Sequence, residues 1–276
     1  MKVYLETKDY TLTGEAFKLL HDPVLDMLVT EPQPVNLGKY YESEDYISHT
    51  DARKSLVDKM YHAVKRYNLK GKLSLIDSYA TADKLLLDVG AGTGDFLAIT
   101  KNCGWEVTGV EPNELARQKA KVKDVTLLND LKAIPRGQKF GVITLWHVLE
   151  HLPDLESQIA KLVGLLTDNG TLVVAVPNFK SYDANYYKEY WAAFDVPRHL
   201  WHFSQKSVQG IFEKYGMKVV KTKPMIFDAF YVALLSEKHK NGKQNFINAF
   251  WIGLMSNIRA LWSKEYSSLI YIIKRS

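Results

Sequence analysis

A single cysteine, Cys103, stands in the 276 residues, which excludes an intrachain disulfide framework and a cysteine-rich zinc site. No apolar stretch approaches the roughly 18 residues of a spanning helix. The opening MKVYLETKDYTL has no apolar core of the kind a secretory signal carries. Internal repeats and low-complexity segments are absent as well. These absences lead to the expectation of a cytoplasmic protein with no transmembrane segment. Strong charge of one sign is also missing: 36 Lys and Arg against 31 Asp and Glu leave +5, scattered along the chain. A nucleic-acid-binding face concentrates its cations, so a nucleic-acid partner is not expected. With 46% hydrophobic and 24% charged residues, the chain can bury a sizeable core, and disorder and collagen-like structure are ruled out.

Residues 1–83 lack strand–helix alternation and read as an N-terminal extension of hairpin, lid and helix. They carry a proline-rich turn from Glu31 to Pro34 and a tyrosine-rich stretch from Tyr40 to His49. A helix starts after Thr50 or Asp51, which are good caps, with Leu56, Met60, Val64 and Leu69 near helical spacing on one side. From Lys84 the texture changes, and residues 84–276 read as one domain. Strands are expected at Leu85 to Gly90, Trp105 to Glu111, Val125 to Leu128, Phe140 to Trp146, Thr171 to Pro177, Lys218 to Pro224 and in the terminal YSSLIYIIKRS. Helices are expected at Phe96 to Asn102, Pro112 to Val122, Pro153 to Leu166 and Ser204 to Tyr215. Apolar strands alternating with helices imply an α/β fold, a mostly parallel sheet covered on both faces. A helical insertion occupies about 226–264, before the last strand.

The strongest chemical signal is LLLDVGAGTGDFL, Leu85 to Leu97. Gly90, Gly92 and Gly94 fall where a buried strand turns into a helix, so the backbone can turn tightly and approach a ligand closely. Glu111 closes the next strand, where a carboxylate can accept both ribose hydroxyls of a nucleoside. A dinucleotide fingerprint G-x-G-x-x-G would need glycine at position 95, which is Asp95. The observed G-x-G-x-G favours a nucleoside without pyrophosphate; a plain strand–helix turn is the alternative.

LLLDVGAGTGDFL, VTGVEPN, FGVITLWHVLEHLPD and GTLVVAVPN, in this order and spacing, resemble the class I S-adenosylmethionine-dependent methyltransferases. Within that class they resemble the bacterial group similar to the ubiquinone-biosynthesis O-methyltransferases. The resemblance covers about Lys84 to Pro224. It implies a Rossmann-like seven-stranded sheet whose last strand inserts antiparallel, and S-adenosylmethionine as cofactor. It places Gly90, Ala91 and Gly92 against the methionine part, Asp88 bracing the glycine turn, and Glu111, followed by Pro112, holding the ribose. Asn129, Asp130 or Leu131 would meet the adenine, and Leu145, Trp146 and His147 would line the methionine and methyl side. Ligands of open α/β sheets bind outside the carboxyl ends of the strands, where all these residues fall.

His147, Glu150 and His151 form H-x-x-E-H, an inverted zinc-protease pattern, but a protease is excluded by its place after the fourth strand of a nucleotide-binding sheet. Related RNA 2′-O-methylating and quinone-methylating enzymes resemble this segment with E-x-x-E-H, which holds a divalent cation, and the RNA group adds a later histidine that best matches His202. The resemblance thus nominates His147, Glu150, His151 and His202 as metal ligands. Histidine at 147 suits Zn²⁺, Mn²⁺ or Fe²⁺ better than Mg²⁺. In the other reading Glu150 and His151 brace a helix start, and His199 and His202 are satisfied by backbone carbonyls. For a hydroxyl acceptor, His147 or His151 is the natural base.

The acceptor side is less defined. Tyr41, Tyr46 or His49 would touch the cofactor if the tyrosine-rich stretch is a lid. The aromatics between Tyr182 and Phe194 either shape an acceptor pocket or form a packed cover. FKLLHDPVLDMLVTEPQP resembles the end of a small zinc ribbon, but His21 and Val24 stand where that ribbon has cysteines, so only its hairpin is expected. FINAFWIGLMSNIRALW, Phe246 to Trp262, is apolar on more than one helical face: a core helix, a dimer contact or a peripheral membrane surface. The expectation is O-methylation of a small-molecule acceptor by a monomer or homodimer. The alternatives are an RNA methyltransferase, a nicotinamide-dependent oxidoreductase, which Asp95 disfavours, and a non-catalytic S-adenosylmethionine-binding module. The (D/N)PP(Y/F/W) motif of base-amine methylation is absent after the fourth strand.

Overall fold

The computed structural model describes residues 1–41 and 56–276, with side chains described again from Val64 onward. Tyr46, His49 and the Thr50/Asp51 cap therefore lie outside the described residues, as do the side chains of Leu56 and Met60.

Two sheets are present among the described residues. The first is antiparallel, in the order β1-β2-β3-β9, with β1 Lys2–Lys8, β2 Ala16–Asp22, β3 Met27–Glu31 and β9 Trp201–His202. Period-2 alternation turns Phe17 and Leu19 of β2 inward. His21 and Val24 belong to the β2–β3 hairpin and its turn; the His21 imidazole pairs with Asp26 at 3.0 Å. β9 lies about 170 residues downstream, and nothing in its two-residue length marks it as a strand.

The second sheet has seven strands in the order β10-β11-β8-β7-β4-β5-β6 and is mostly parallel. Its strands are β4 Leu85–Val89, β5 Glu106–Val110, β6 Leu127–Leu128, β7 Phe140–Trp146, β8 Leu166–Pro177, β10 Met217–Pro224 and β11 Ser268–Arg275. Leu86, Leu87, Val142, Ile143, Val173 and Val174 are fully buried, as a sheet covered on both faces requires. Each such side chain contributes about 1.5–3 kcal/mol relative to exposure. Just past the end of β8, the Asn178 N–H donates to Ser267 O at the entrance to β11. Just past the end of β10, Met225 N–H donates to Ser268 O. The last strand thus runs antiparallel between its neighbours, as expected.

The helices are α1 Leu56–Asp77, α2 Asp95–Asn102, α3 Glu114–Lys121, α4 Leu155–Leu165, α5 Tyr182–Tyr187, α6 Gln205–Glu213, α7 Asp228–Asn241 and α8 Phe246–Ser263. Asn113 caps α3 by accepting from Ala116 N–H, and Ser204 with Ser207 forms a reciprocal box at α6. β8 starts at Leu166 rather than Thr171: the polar TDNG, which reads as a turn, continues the strand.

By contacts the chain groups into two compact units. One holds Met1–Ser43, His147–Gln158 and Ala175–Tyr271; the other holds Glu44–Trp146, Ile159–Val174 and Ile272–Ser276. In the first unit, Tyr187, Trp191 and Phe194 are buried with Phe17, Leu19 and Leu28, so these aromatics form a packed cover. Arg198, 1% exposed, joins the Asp9 and Asp195 carboxylates and the Tyr40 carbonyl. Helix α8 packs inside out. Ala249, Gly253, Ser256 and Ala260, with Ile252, are its buried residues. Gly253 lies against Phe230 so closely that a Cβ there would come within 2.7 Å of that ring. The Ser256 hydroxyl donates to Asp183, which also accepts from Ser267 and from the Trp191 indole.

Candidate functional site

The glycine turn lies wholly in the second unit. The Gly90 and Ala91 N–H groups both donate to Val110 O, locking the turn onto β5. Glu111, directly after β5, is buried. One of its carboxylate oxygens accepts from Gly92 N–H at 2.8 Å and the other from Asn113 N–H at 2.9 Å. An ionised carboxylate offers about four acceptor sites, so both oxygens retain capacity for a ligand's hydroxyls. Gly92 has φ 52° and open space where a Cβ would stand. Gly94, by contrast, has φ 74° and would drive a Cβ to 2.9 Å from Ala120; it closes the turn against α3.

Asp88 does not brace the turn through its side chain. It is buried in β4 and accepts from the Thr144 hydroxyl of β7 at 2.6 Å. Burial pushes its carboxyl up to about 7, against the smaller opposing pull of Thr144 and Lys72. Pro112, Asn129 and Asp130 are exposed and Leu131 half-buried at the strand ends, while Leu145 is buried within β7. The Asp130 carboxylate is committed to Lys132 N–H. The Trp146 indole has Lys72 Nζ 4.3 Å from its ring and Phe96 packed edge-on. Its Nε1 is buried without a hydrogen-bond partner among the described residues. Asp95, which breaks the dinucleotide pattern, opens α2 and pairs with Lys65 at 2.9 Å and Lys123 at 3.0 Å. Burial acts to raise this carboxyl, but the two lysines and Thr93 hold it below its ordinary value.

The histidine cluster belongs to the first unit. His147 follows Trp146 directly and adopts φ 57°, a left-handed conformation that costs a β-carbon residue energy and recurs at functional sites. Its Nε2 lies 3.0 Å from the Asp228 carboxylate at the start of α7, and its Nδ1 lies 3.4 Å from Glu150. Burial would depress its pKa, but the two carboxylates raise it to about 10. An imidazolium has no lone pair to accept a proton, so the base role expected of His147 does not fit this geometry. Asp228 escaped the sequence reading, because nothing before folding brings residue 228 to residue 147.

Glu150, His151 and His199 each offer one ligating atom, and these atoms lie within 4.8 Å of one another. His151 Nδ1 is 3.0 Å from the Arg198 carbonyl, and His199 Nδ1 is 2.9 Å from the Ala193 carbonyl. A carbonyl only accepts, so both Nδ1 atoms carry hydrogen; His199 Nε2 also lies 4.0 Å from the Asp195 carboxylate. The Glu150 carboxylate is 1% exposed. Beyond its ion pair with His147, neither oxygen accepts a hydrogen bond among the described residues. Burial acts to raise its pKa, but the surrounding histidines outweigh burial and hold it low. The His151 ring is pushed down to about 4 by burial and by His199.

Of the expected ligands His147, Glu150, His151 and His202, the structure brings Glu150 and His151 together, with His199 beside them. The Thr30 hydroxyl donates to His199 O and receives the His202 Nε2–H at 3.0 Å, which turns His202 away; His199 takes its place. His147 is held by Asp228 instead. Tyr41, described with Tyr40 at the start of the tyrosine-rich stretch, meets His151 Nδ1 at 3.0 Å.

A family profile described as a methyltransferase domain matches residues 60–222, and the chain belongs to that family. Among curated relatives, the ubiquinone biosynthesis O-methyltransferase of Haemophilus ducreyi is 33% identical over 108 residues, 34% of this chain and 46% of the relative. The protein of the same description from Coxiella burnetii is 30% identical over 109 residues, 36% of this chain and 47% of its own length. The chain thus spans about half the length of the curated relatives it matches. Among solved structures, the SAH-bound magnesium protoporphyrin IX methyltransferase of Synechocystis PCC 6803 superposes with a TM-score of 0.54 and 17% identity. The match covers 86% of this chain and 92% of that one, and it shows a shared fold. The family and the α/β fold read from the four motifs are borne out.

Proposed function

We propose that this protein transfers the methyl group of S-adenosylmethionine to an oxygen of a small-molecule acceptor. The observation that carries the reading is Glu111, held by Gly92 and Asn113 with acceptor capacity to spare. The Trp146 Nε1, without a partner among the described residues, and the open space at Gly92 fit the same cofactor. Bound there, S-adenosylmethionine supplies an electrophilic methyl on a sulfonium whose leaving group is already good. The chain's residues contribute alignment, on the order of 7–11 kcal/mol of barrier for a well-oriented pair. Glu111 orients the ribose; Asn129, Asp130 or Leu131 meets the adenine; Trp146 lines the methionine side. As the resemblance implies, His151 serves as the base that takes the acceptor's proton. The Glu150 carboxylate with the His151 and His199 imidazoles also fits a divalent cation, which when bound would lower the acceptor hydroxyl's pKa. Metal removal separates the two roles. Loss of activity on stripping assigns activation to the cation, and retained activity assigns it to His151 Nε2 as base.

Asp95 speaks against a nicotinamide cofactor: its carboxylate occupies the helix start where a pyrophosphate would sit. Calorimetric titration with S-adenosylmethionine, S-adenosylhomocysteine and NADH tests the reading, on the protein and on Glu111→Ala. Micromolar binding of both adenosyl ligands, silence with NADH and at least tenfold weaker binding by the variant are expected. NADH binding, or adenosyl binding unchanged in Glu111→Ala, would refute it.

A further inference from the structure

Helix α8 presents its large apolar residues to solvent. Phe246, Ile247, Phe250, Trp251, Ile258, Leu261 and Trp262 are all exposed, Ile247 and Trp262 by three quarters or more. At 100° per residue they fall on one continuous face, opposite the small residues that pack inward. Ile226, Phe227 and Tyr231, at and before the start of α7, are exposed as well, and Phe230 stacks on Phe250. Aromatic side chains carry about 150–250 Å² each, so the four on α8 alone expose on the order of 500 Å². With the aliphatic residues added, the patch exceeds what monomers ordinarily leave in water.

Charge decides what covers this face. Residues 238–264 contain Lys238, Lys240, Lys243, Arg259 and Lys264 and not one Asp or Glu. The flanking acids are spent elsewhere: Glu237 is buried and bonds Tyr187, Asn241 and Asn248, and Glu265 accepts from Asn178 and Gln205. A second copy would oppose this cationic rim with an identical one, as any two-fold contact must. An anionic bilayer instead complements the rim and accepts the apolar face. Trp251 and Trp262 lie eleven residues apart, about three turns, on the same edge of the face, as interfacial tryptophans do. No helix among the described residues is long and apolar enough to cross a membrane, so this contact lies in the plane of the surface.

We propose that the outer face of α8, with the start of α7, docks on an anionic lipid bilayer. The same segment carries Asp228, whose carboxylate holds His147, so docking sets the histidine cluster close to the lipid phase and suits an acceptor that partitions into it. The docking itself does not depend on the methyl-transfer reading, which the calorimetric titration tests separately.

Vesicle sedimentation of the full chain tests this, with phosphatidylcholine vesicles and with phosphatidylcholine vesicles containing phosphatidylglycerol. The expected result is binding to the anionic vesicles, weakened at least fivefold by molar salt. Trp251→Glu with Trp262→Glu, on side chains that already face water, should abolish binding while thermal unfolding is unchanged. Lys240→Gln, Lys243→Gln and Lys264→Gln together should weaken it at least tenfold on anionic vesicles. No binding to either vesicle, or undiminished binding by the tryptophan variant, would overturn the proposal. So would a self-association, measured by light scattering, that the tryptophan substitutions dissolve.

Discussion

Replacing Asp88 by asparagine isolates one buried ionisation. The side chain is 2% exposed and accepts from Thr144; asparagine keeps the shape and an acceptor for that bond. Burial raises the folded-state pKa to about 7 from 3.8, so the fold retains a proton that the unfolded chain releases near pH 4. A raised folded pKa contributes stability that is fully present below the unfolded value and is lost as pH rises through the folded one. A rise of about three in pKa corresponds to about 4 kcal/mol, or roughly 8 °C in Tm for a chain of this length. Asp9, Asp95 and Asp195 are held low by their cationic partners and push stability the other way with pH. The useful quantity is therefore the difference between the protein and Asp88→Asn. In urea unfolding, that difference should shift in favour of the variant by about 4 kcal/mol between pH of about 4 and about 8. A difference that stays flat over this range would mean that Asp88 is ionised in the fold, its charge balanced by Lys72, and would refute the assignment.

Arg198→Met removes the cation that joins two carboxylates in the first unit. Stranding Asp9 and Asp195 should cost about 3–5 kcal/mol in denaturant unfolding. Gly94→Ala meets both a left-handed φ and the Ala120 Cβ. It should lower stability by about 2–4 kcal/mol and weaken adenosyl-ligand binding in the same calorimetric titration. Glu150→Gln should reduce Mn²⁺ or Zn²⁺ retention in equilibrium dialysis at least tenfold, whereas His202→Gln, outside the cluster, should leave retention unchanged.

The second sheet was legible because its strands are buried on both sides and read as continuous apolar runs; β7, FGVITLW, falls where the run does. The glycine turn was legible for the same local reason, strand, glycines, helix and acid in order. What escaped depended on distant partners. β9 is two residues long and exists only because β3 offers it an edge. His199 replaces His202 in the cluster because Thr30, from the other end of the chain, captures His202. His147 looked like a base until Asp228 was placed beside it. The inside-out packing of α8 escaped for another reason: a helix apolar on every side has no periodicity to say which face goes in. The small residues went in because Gly253 and Ser256 admit close approach and a bond to Asp183.

The pairing of β3 with β9 also sets a schedule for synthesis. β3 is finished by residue 31, but its partner at 201–202 leaves the ribosome about 170 residues later. At about 5–20 residues per second, that is a wait on the order of 10–30 seconds. During it the β1–β3 meander has an open edge and unburied Leu19 and Leu28, the kind of template that invites pairing with other chains. Residues 228–275 emerge later still; they bring Asp228 to His147 and insert β11 between β10 and β8. A ribosome-released fragment ending before residue 200 should therefore be markedly more prone to aggregate than the whole chain.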